Sequence, residues 1–253
     1  MTKLWKKSEL GFALLWIAVY VIGNSVSAQL SDELGHKYCV TVAFNLAMSL
    51  FLFLWIRKNG LMERYGLCKA TLPSRRFLWY IPLIILASAN LWRGVAVTLS
   101  VRETLFGICN MLGVGFLEEL LFRGFLFRAV SQRGVRRGVV ISSLSFGLGH
   151  VVNLFNGRGM TLADNLWQIG SAIAFGFLFV MLFYRGGSLW PCVLTHAAFN
   201  IADIFSGATD ATAPVQIFWN AAVLVLMVGY TWFVAKIPPD DAKHGETDGT
   251  EKG

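Results

Sequence analysis

Two adjacent carboxylates, Glu118 and Glu119, and one guanidinium, Arg123, interrupt an apolar run that begins near Thr104. An ionised side chain at the centre of hydrocarbon costs about 2.5–3.5 kcal/mol on insertion scales. Three such groups within six residues are therefore hard to explain as lipid-facing decoration. At helical spacing Glu119 and Arg123 are i,i+4 neighbours and can pair. Glu118 points about 100° away on the helix and has no local cation. Two more apolar runs each carry an imidazole, His150 and His196, the second followed one turn later by Asn200. One carboxylate and two histidines form the ligand set of a hydrolytic zinc site with an open position. Buried Glu, His and Arg also form proton relays.

The elements that must position these groups are apolar helices. The chain has 253 residues, of which 55% are hydrophobic and 15% charged, and its mean hydropathy is +0.57. Soluble domains carry roughly 25% charge, so this composition predicts a polytopic membrane protein with one bundle. Eight spans are predicted, at about Leu10–Leu30, Tyr38–Ile56, Phe77–Trp92, Thr104–Phe127, Gly138–Phe155, Leu166–Tyr184, Ser188–Phe205 and Pro214–Ala235. Pro82 sits near the start of the third span. Residues 1–239 thus read as a single transmembrane domain, with its motif-bearing core at about 104–205, and 240–253 as a disordered tail.

For the first span a cleaved signal peptide competes, because Val26-Ser27-Ala28 resembles a small-residue cleavage site; the length of the run and its Trp16 and Tyr20 favour retention. Four scattered cysteines, Cys39, Cys68, Cys109 and Cys192, form no CxxC pair and read as small apolar residues.

Charge by position sets the orientation. With eight spans, the termini and the loops on their side hold 17 Lys and Arg, and the opposite loops hold four: Lys37, Arg93, Arg102 and Arg158. The positive-inside rule then places both termini in the cytoplasm. The net charge of +7 is accounted for without a nucleic-acid partner.

Depth brings the polar groups to one level. At 1.5 Å per residue, Glu118 lies about 15 Å from Arg128, His150 about 20 Å from Arg137, and His196 about 16 Å from Arg185. Along their helices Phe146, His150 and Asn153 recur at i, i+4, i+7, as do His196, Asn200 and Asp203. Each group alone has a plain structural reading: a histidine bonded to a neighbouring carbonyl, an interhelical asparagine, a buried ion pair, glycines for close packing. Two carboxylates, two histidines and an asparagine at one depth are not explained that way jointly.

Glu118-Glu119-x-x-x-Arg123, Phe146-x-x-x-His150 and His196-x-x-x-Asn200 resemble, in order and helix assignment, the three motifs of the CPBP/Abi family of intramembrane endopeptidases, relatives of the type II CAAX prenyl protease. The resemblance covers about residues 104–205, and no motif position departs from the pattern. It implies an all-helical fold and peptide-bond hydrolysis, by a metal-dependent or a glutamate-dependent route; the His196-x-x-x-Asn200 spacing favours the second, with no cofactor required. Glu118 would be the general base, acting on a water shared with His150. His196 and Asn200 would donate to the oxyanion, and Arg123 would hold Glu119 in a supporting role. The implied partner is a peptide or protein substrate, membrane-associated or lipidated, in a multi-pass protein of a bacterial plasma membrane surrounded by membrane lipids. The implied cavity opens to the cytoplasm.

Two alternatives use the same residues. A zinc-dependent peptidase would take Glu118, His150 and His196 as ligands, although there is no HExxH, and His196-x-x-x-Asn200 fits an oxyanion clamp better than a ligand pair. A proton-coupled transporter would use the buried groups as a relay, but neither repeated halves nor a matched pair of broken helices is present. A non-catalytic immunity protein would leave the motif residues unused.

Overall fold

The apolar runs fold into helices. In the computed structural model, which describes residues 1–92, 94–154, 161–207 and 213–238, there is no β-strand among the described residues, only one isolated bridge between Val95 and Ser206. A short α1 (Thr2–Lys7) leads into α2 (Glu9–Glu33), whose N-cap Ser8 accepts a hydrogen bond from the Gly11 N–H. Next come α3 (Cys39–Lys58), α4 (Ile81–Ala87) and α5 (Val101–Glu119). Ser100 and Glu103 form a reciprocal capping box at the start of α5. The helix continues through a π-helical stretch, Leu120–Phe127, into α6 (Arg128–Ser131). The remaining helices are α7 (Val135–Gly149), α8 (Leu162–Gly186), α9 (Trp190–Ile204) and α10 (Ala213–Ala235).

Five of these segments are long and apolar enough to cross a membrane by length and composition: Glu9–Glu33, Cys39–Lys58, Val101–Ser131, Leu162–Gly186 and Val215–Ala235. Large apolar side chains such as Ile22, Leu50 and Val225 face outward on them, as expected where hydrocarbon is the solvent. The other three predicted spans are shorter or broken. The third is α-helical only over Ile81–Ala87, followed by a 3-10 turn at Ala89–Leu91, because Leu78, Trp79 and Tyr80 adopt left-handed backbone and Pro82 stands in the first turn. The fifth ends as an α-helix at Gly149 and tightens into a 3-10 turn over His150–Leu154, and the seventh has 15 helical residues. At 1.5 Å per residue, 15 residues reach about 22 Å, short of a hydrocarbon core of about 30 Å. The predicted tail 240–253, Arg93 and Arg158 lie outside the described residues.

The central segment is α5 with its π-helical extension, which packs against α2, α3, α7 and α9. All eight residues of Leu120–Phe127 are buried, Arg123 among them. Aromatic edges fill the space around it: Phe125 against Phe12 and Tyr65, Phe122 against Phe146, Phe127 against Phe183. The core is therefore built around the segment carrying the charges.

Candidate active site

Close backbone approach brings α5 and α9 together. A Cβ on Gly115 would lie 2.9 Å from both the backbone nitrogen and the Cβ of Ala197, so a glycine is required for this spacing. One turn further along α5 are Glu118 and Glu119, and the neighbour of Ala197 is His196. The sequence thus places two carboxylates against an imidazole by leaving out a single methyl group.

Glu119 and Arg123 have fully buried side chains, and Arg123 Nη1 lies 3.2 Å from Glu119 Oε1, the pairing that their spacing predicts. The guanidinium also stacks over Phe146 at 4.0 Å and Phe179 at 5.6 Å from the ring centroids. The same Glu119 oxygen is 2.7 Å from His196 Nδ1. Glu119 is therefore more than a counter-ion: it fixes the plane of the imidazole.

The other ring nitrogen, His196 Nε2, faces Glu118 Oε2 at 3.6 Å. Glu118 Oε1 accepts a hydrogen bond of 2.7 Å from the Tyr20 hydroxyl on α2. The side chain of Glu118 is 15% exposed, against none for Glu119. The two adjacent carboxylates thus differ in environment: one is sealed against Arg123, the other is partly exposed.

His196 borders a cavity of about 130 Å³ lined also by Phe146, His150, Gln168, Phe175 and Asn200, together with Ser171, Ala172, Phe179 and Phe199. Three of the four residues given catalytic roles by the resemblance, His150, His196 and Asn200, share its wall. Glu118 does not line it and approaches it through His196. The partners of the Glu118 carboxylate are Tyr20 and His196 rather than His150, whose Nδ1 is bonded to the Phe146 carbonyl at 3.0 Å. Asn153 bonds Gln168, and Asp203 is exposed near the end of α9, so neither i+7 position lies on the cavity wall. Among the described residues no group of three or more His, Cys, Asp or Glu side chains could hold a metal ion.

Tyr20, Gln168 and the π-helical geometry were not predicted from the sequence. A signal for Tyr20 exists: Tyr20, Asn24, Ser27 and Ser31 recur at i, i+4, i+7, i+11 and mark one polar face of α2. Asn24 is bonded to Asn45, which reaches Asn110 on α5, and Ser31 accepts from the backbone of α3. That stripe is the face by which α2 docks on the centre of the bundle.

Residues 100–202 match the family model described as type II CAAX prenyl endopeptidase Rce1-like. The match contains all the site residues from Glu118 to Asn200 and leaves out Tyr20. Over this region the chain is similar to the CAAX protease/CPBP family, in line with its three motifs. This is a protease family, which supports peptide hydrolysis and a peptide or protein substrate; with the apolar helices it supports a multi-pass membrane protein. The comparisons with curated proteins and with solved structures returned no match.

Proposed function

We propose that the chain is an intramembrane endopeptidase in which Glu118 activates water and no metal is required. The observation that carries this reading is the position of His196, held by Glu119 on one nitrogen and turned toward Glu118 on the other, beside a cavity shared with His150 and Asn200. Water bound near Glu118 Oε2 transfers a proton to the carboxylate as its oxygen adds to the scissile carbonyl carbon. The resulting oxyanion receives hydrogen bonds from Asn200 Nδ2 and His196 Nε2. Glu118 then returns the proton to the departing amine as the C–N bond breaks. His150, anchored through Nδ1 by the Phe146 carbonyl, presents its other nitrogen to the cavity and helps to position the water.

For His196 Nε2 to donate while Nδ1 shares a proton with Glu119, the ring and Glu119 must hold two protons between them. An imidazolium would leave the cluster of Glu118, Glu119, Arg123 and His196 neutral overall, an arrangement suited to apolar surroundings. The zinc-dependent version does not fit as well: Glu118 and His196 approach each other, but His150 does not join them as a third ligand. The substrate is a membrane-associated or lipidated peptide in a bacterial plasma membrane, and the cavity opens to the cytoplasm with both termini on that side.

Glu118→Gln is the direct test. It preserves shape and removes the base, so turnover should fall by about 10²–10⁴, the contribution of general acid–base catalysis, with an unchanged melting transition. A fully active Glu118→Gln variant would end this assignment.

A further inference from the structure

We propose that Tyr20, outside the family match and on the first long helix, is a positioning residue that selects which oxygen of Glu118 performs the chemistry. This rests on the reading of Glu118 as the base. The Tyr20 hydroxyl donates to Glu118 Oε1 at 2.7 Å across 98 residues of sequence, and the residue is 5% exposed. Glu118 Oε2, the oxygen without that donor, is the one turned to His196 Nε2. The phenol therefore distinguishes two otherwise equivalent oxygens.

A glutamate carboxylate has three soft torsions, and a productive base must be held within about 0.5 Å and 10–20°. Glu118 has no basic side chain of its own helix to hold it, because Arg123 belongs to Glu119. Tyr20 supplies the missing restraint from another element.

The hydroxyl is not needed to dock α2. That helix is held independently by Phe12, which stacks on Trp55 and meets Phe125 edge-on, by the Asn24–Asn45 hydrogen bond, and by Ser31 against Thr41 and the backbone of Val40. Removing one phenol oxygen should therefore leave the bundle intact and release the carboxylate.

The test compares wild type, Tyr20→Phe, Asn24→Ala and Glu118→Gln as purified full-length protein in detergent. One readout is the antisymmetric carboxylate stretch of Glu118, isolated as the infrared difference between each Glu118-containing form and the same form with Glu118→Gln. The second is kcat and KM on an internally quenched farnesylated CAAX peptide. Tyr20→Phe is expected to shift and broaden the Glu118 band and to lower kcat about ten- to hundredfold with KM and melting temperature unchanged. Asn24→Ala, which loosens the same helix without touching Glu118, should leave the band and kcat where they are.

A Tyr20→Phe band that superimposes on wild type overturns the proposal, whether or not the peptide is cleaved. So does a band shift reproduced by Asn24→Ala, which would make the effect one of helix docking. Unchanged kcat in Tyr20→Phe beside an inactive Glu118→Gln overturns the Tyr20 role alone. Activity in Glu118→Gln instead removes the base assignment on which it rests.

Discussion

The sealed ion pair should show strong non-additivity when it is dismantled. Glu119 and Arg123 are both fully buried, with 3.2 Å between Oε1 and Nη1. None of the three guanidinium nitrogens has a hydrogen-bond partner among the described residues. At an effective dielectric of about 20, unit charges at that distance attract by about 5 kcal/mol. Losing one partner of a buried pair costs about 3–5 kcal/mol, because the other is left as an uncompensated charge. Glu119→Gln should lie at the upper end, since Arg123 then retains only the faces of Phe146 and Phe179. Arg123→Met should lie at the lower end, since Glu119 keeps His196. The double variant removes both charges and should be no less stable than the milder single. Unfolding in mixed micelles of rising denaturing-detergent fraction, extrapolated linearly, provides the four free energies. Additivity within about 0.5 kcal/mol would refute the reasoning. In the same series Glu119→Gln should also lower kcat about 10²-fold, because it frees the imidazole that Glu119 orients.

The remaining predictions concern the oxyanion donors and the topology. Asn200→Ala should lower kcat about 10²–10³-fold with little change in KM and no change in bound metal; a His196→Ala form that loses metal carried by the wild type would instead support the zinc-dependent reading. A reporter fused after Lys236 should register as cytoplasmic and one inserted near Gly157 as external; the opposite pattern would overturn the eight-span orientation.

Charge pattern made the site legible and backbone irregularity hid part of it. Glu118, Glu119, Arg123, His150, His196 and Asn200 stood out because polar groups in apolar runs are few and costly, and the i,i+4 pair was readable from spacing alone. The division of labour between the glutamates was only half visible. Spacing gave Arg123 to Glu119, but that Glu119 also holds His196 depends on the α5–α9 approach at Gly115, which is a tertiary fact. Tyr20 was hidden because its partner lies 98 residues away. The short helices were only partly legible, for a different reason. Hydropathy reports apolar runs without their backbone, so Phe77–Trp92 read as one span although Leu78–Tyr80 are left-handed and the helix starts only at Ile81.

Irregular backbone inside an apolar bundle must have its polar groups satisfied locally, which gives the two serines of α7 opposite roles. The widened helix over Leu120–Phe127 begins directly after Glu119 and includes Arg123, so its geometry sets how the pair meets. Ser142, fully buried on α7, donates from Oγ to the Phe122 carbonyl within that stretch at 2.8 Å. Ser143, equally buried, has no hydrogen-bond partner for Oγ among the described residues. Replacing a buried donor whose acceptor remains costs about 1–3 kcal/mol, whereas deleting an unsatisfied hydroxyl removes a penalty. Ser142→Ala should therefore destabilise the protein and lower kcat, since the π-helical stretch loses its tether beside Arg123. Ser143→Ala should be neutral or stabilising and fully active. Melting temperature and turnover of the two variants, measured side by side in detergent, decide the matter. If Ser143→Ala proved the more damaging, the Phe122 carbonyl would not be what holds the widened helix in place.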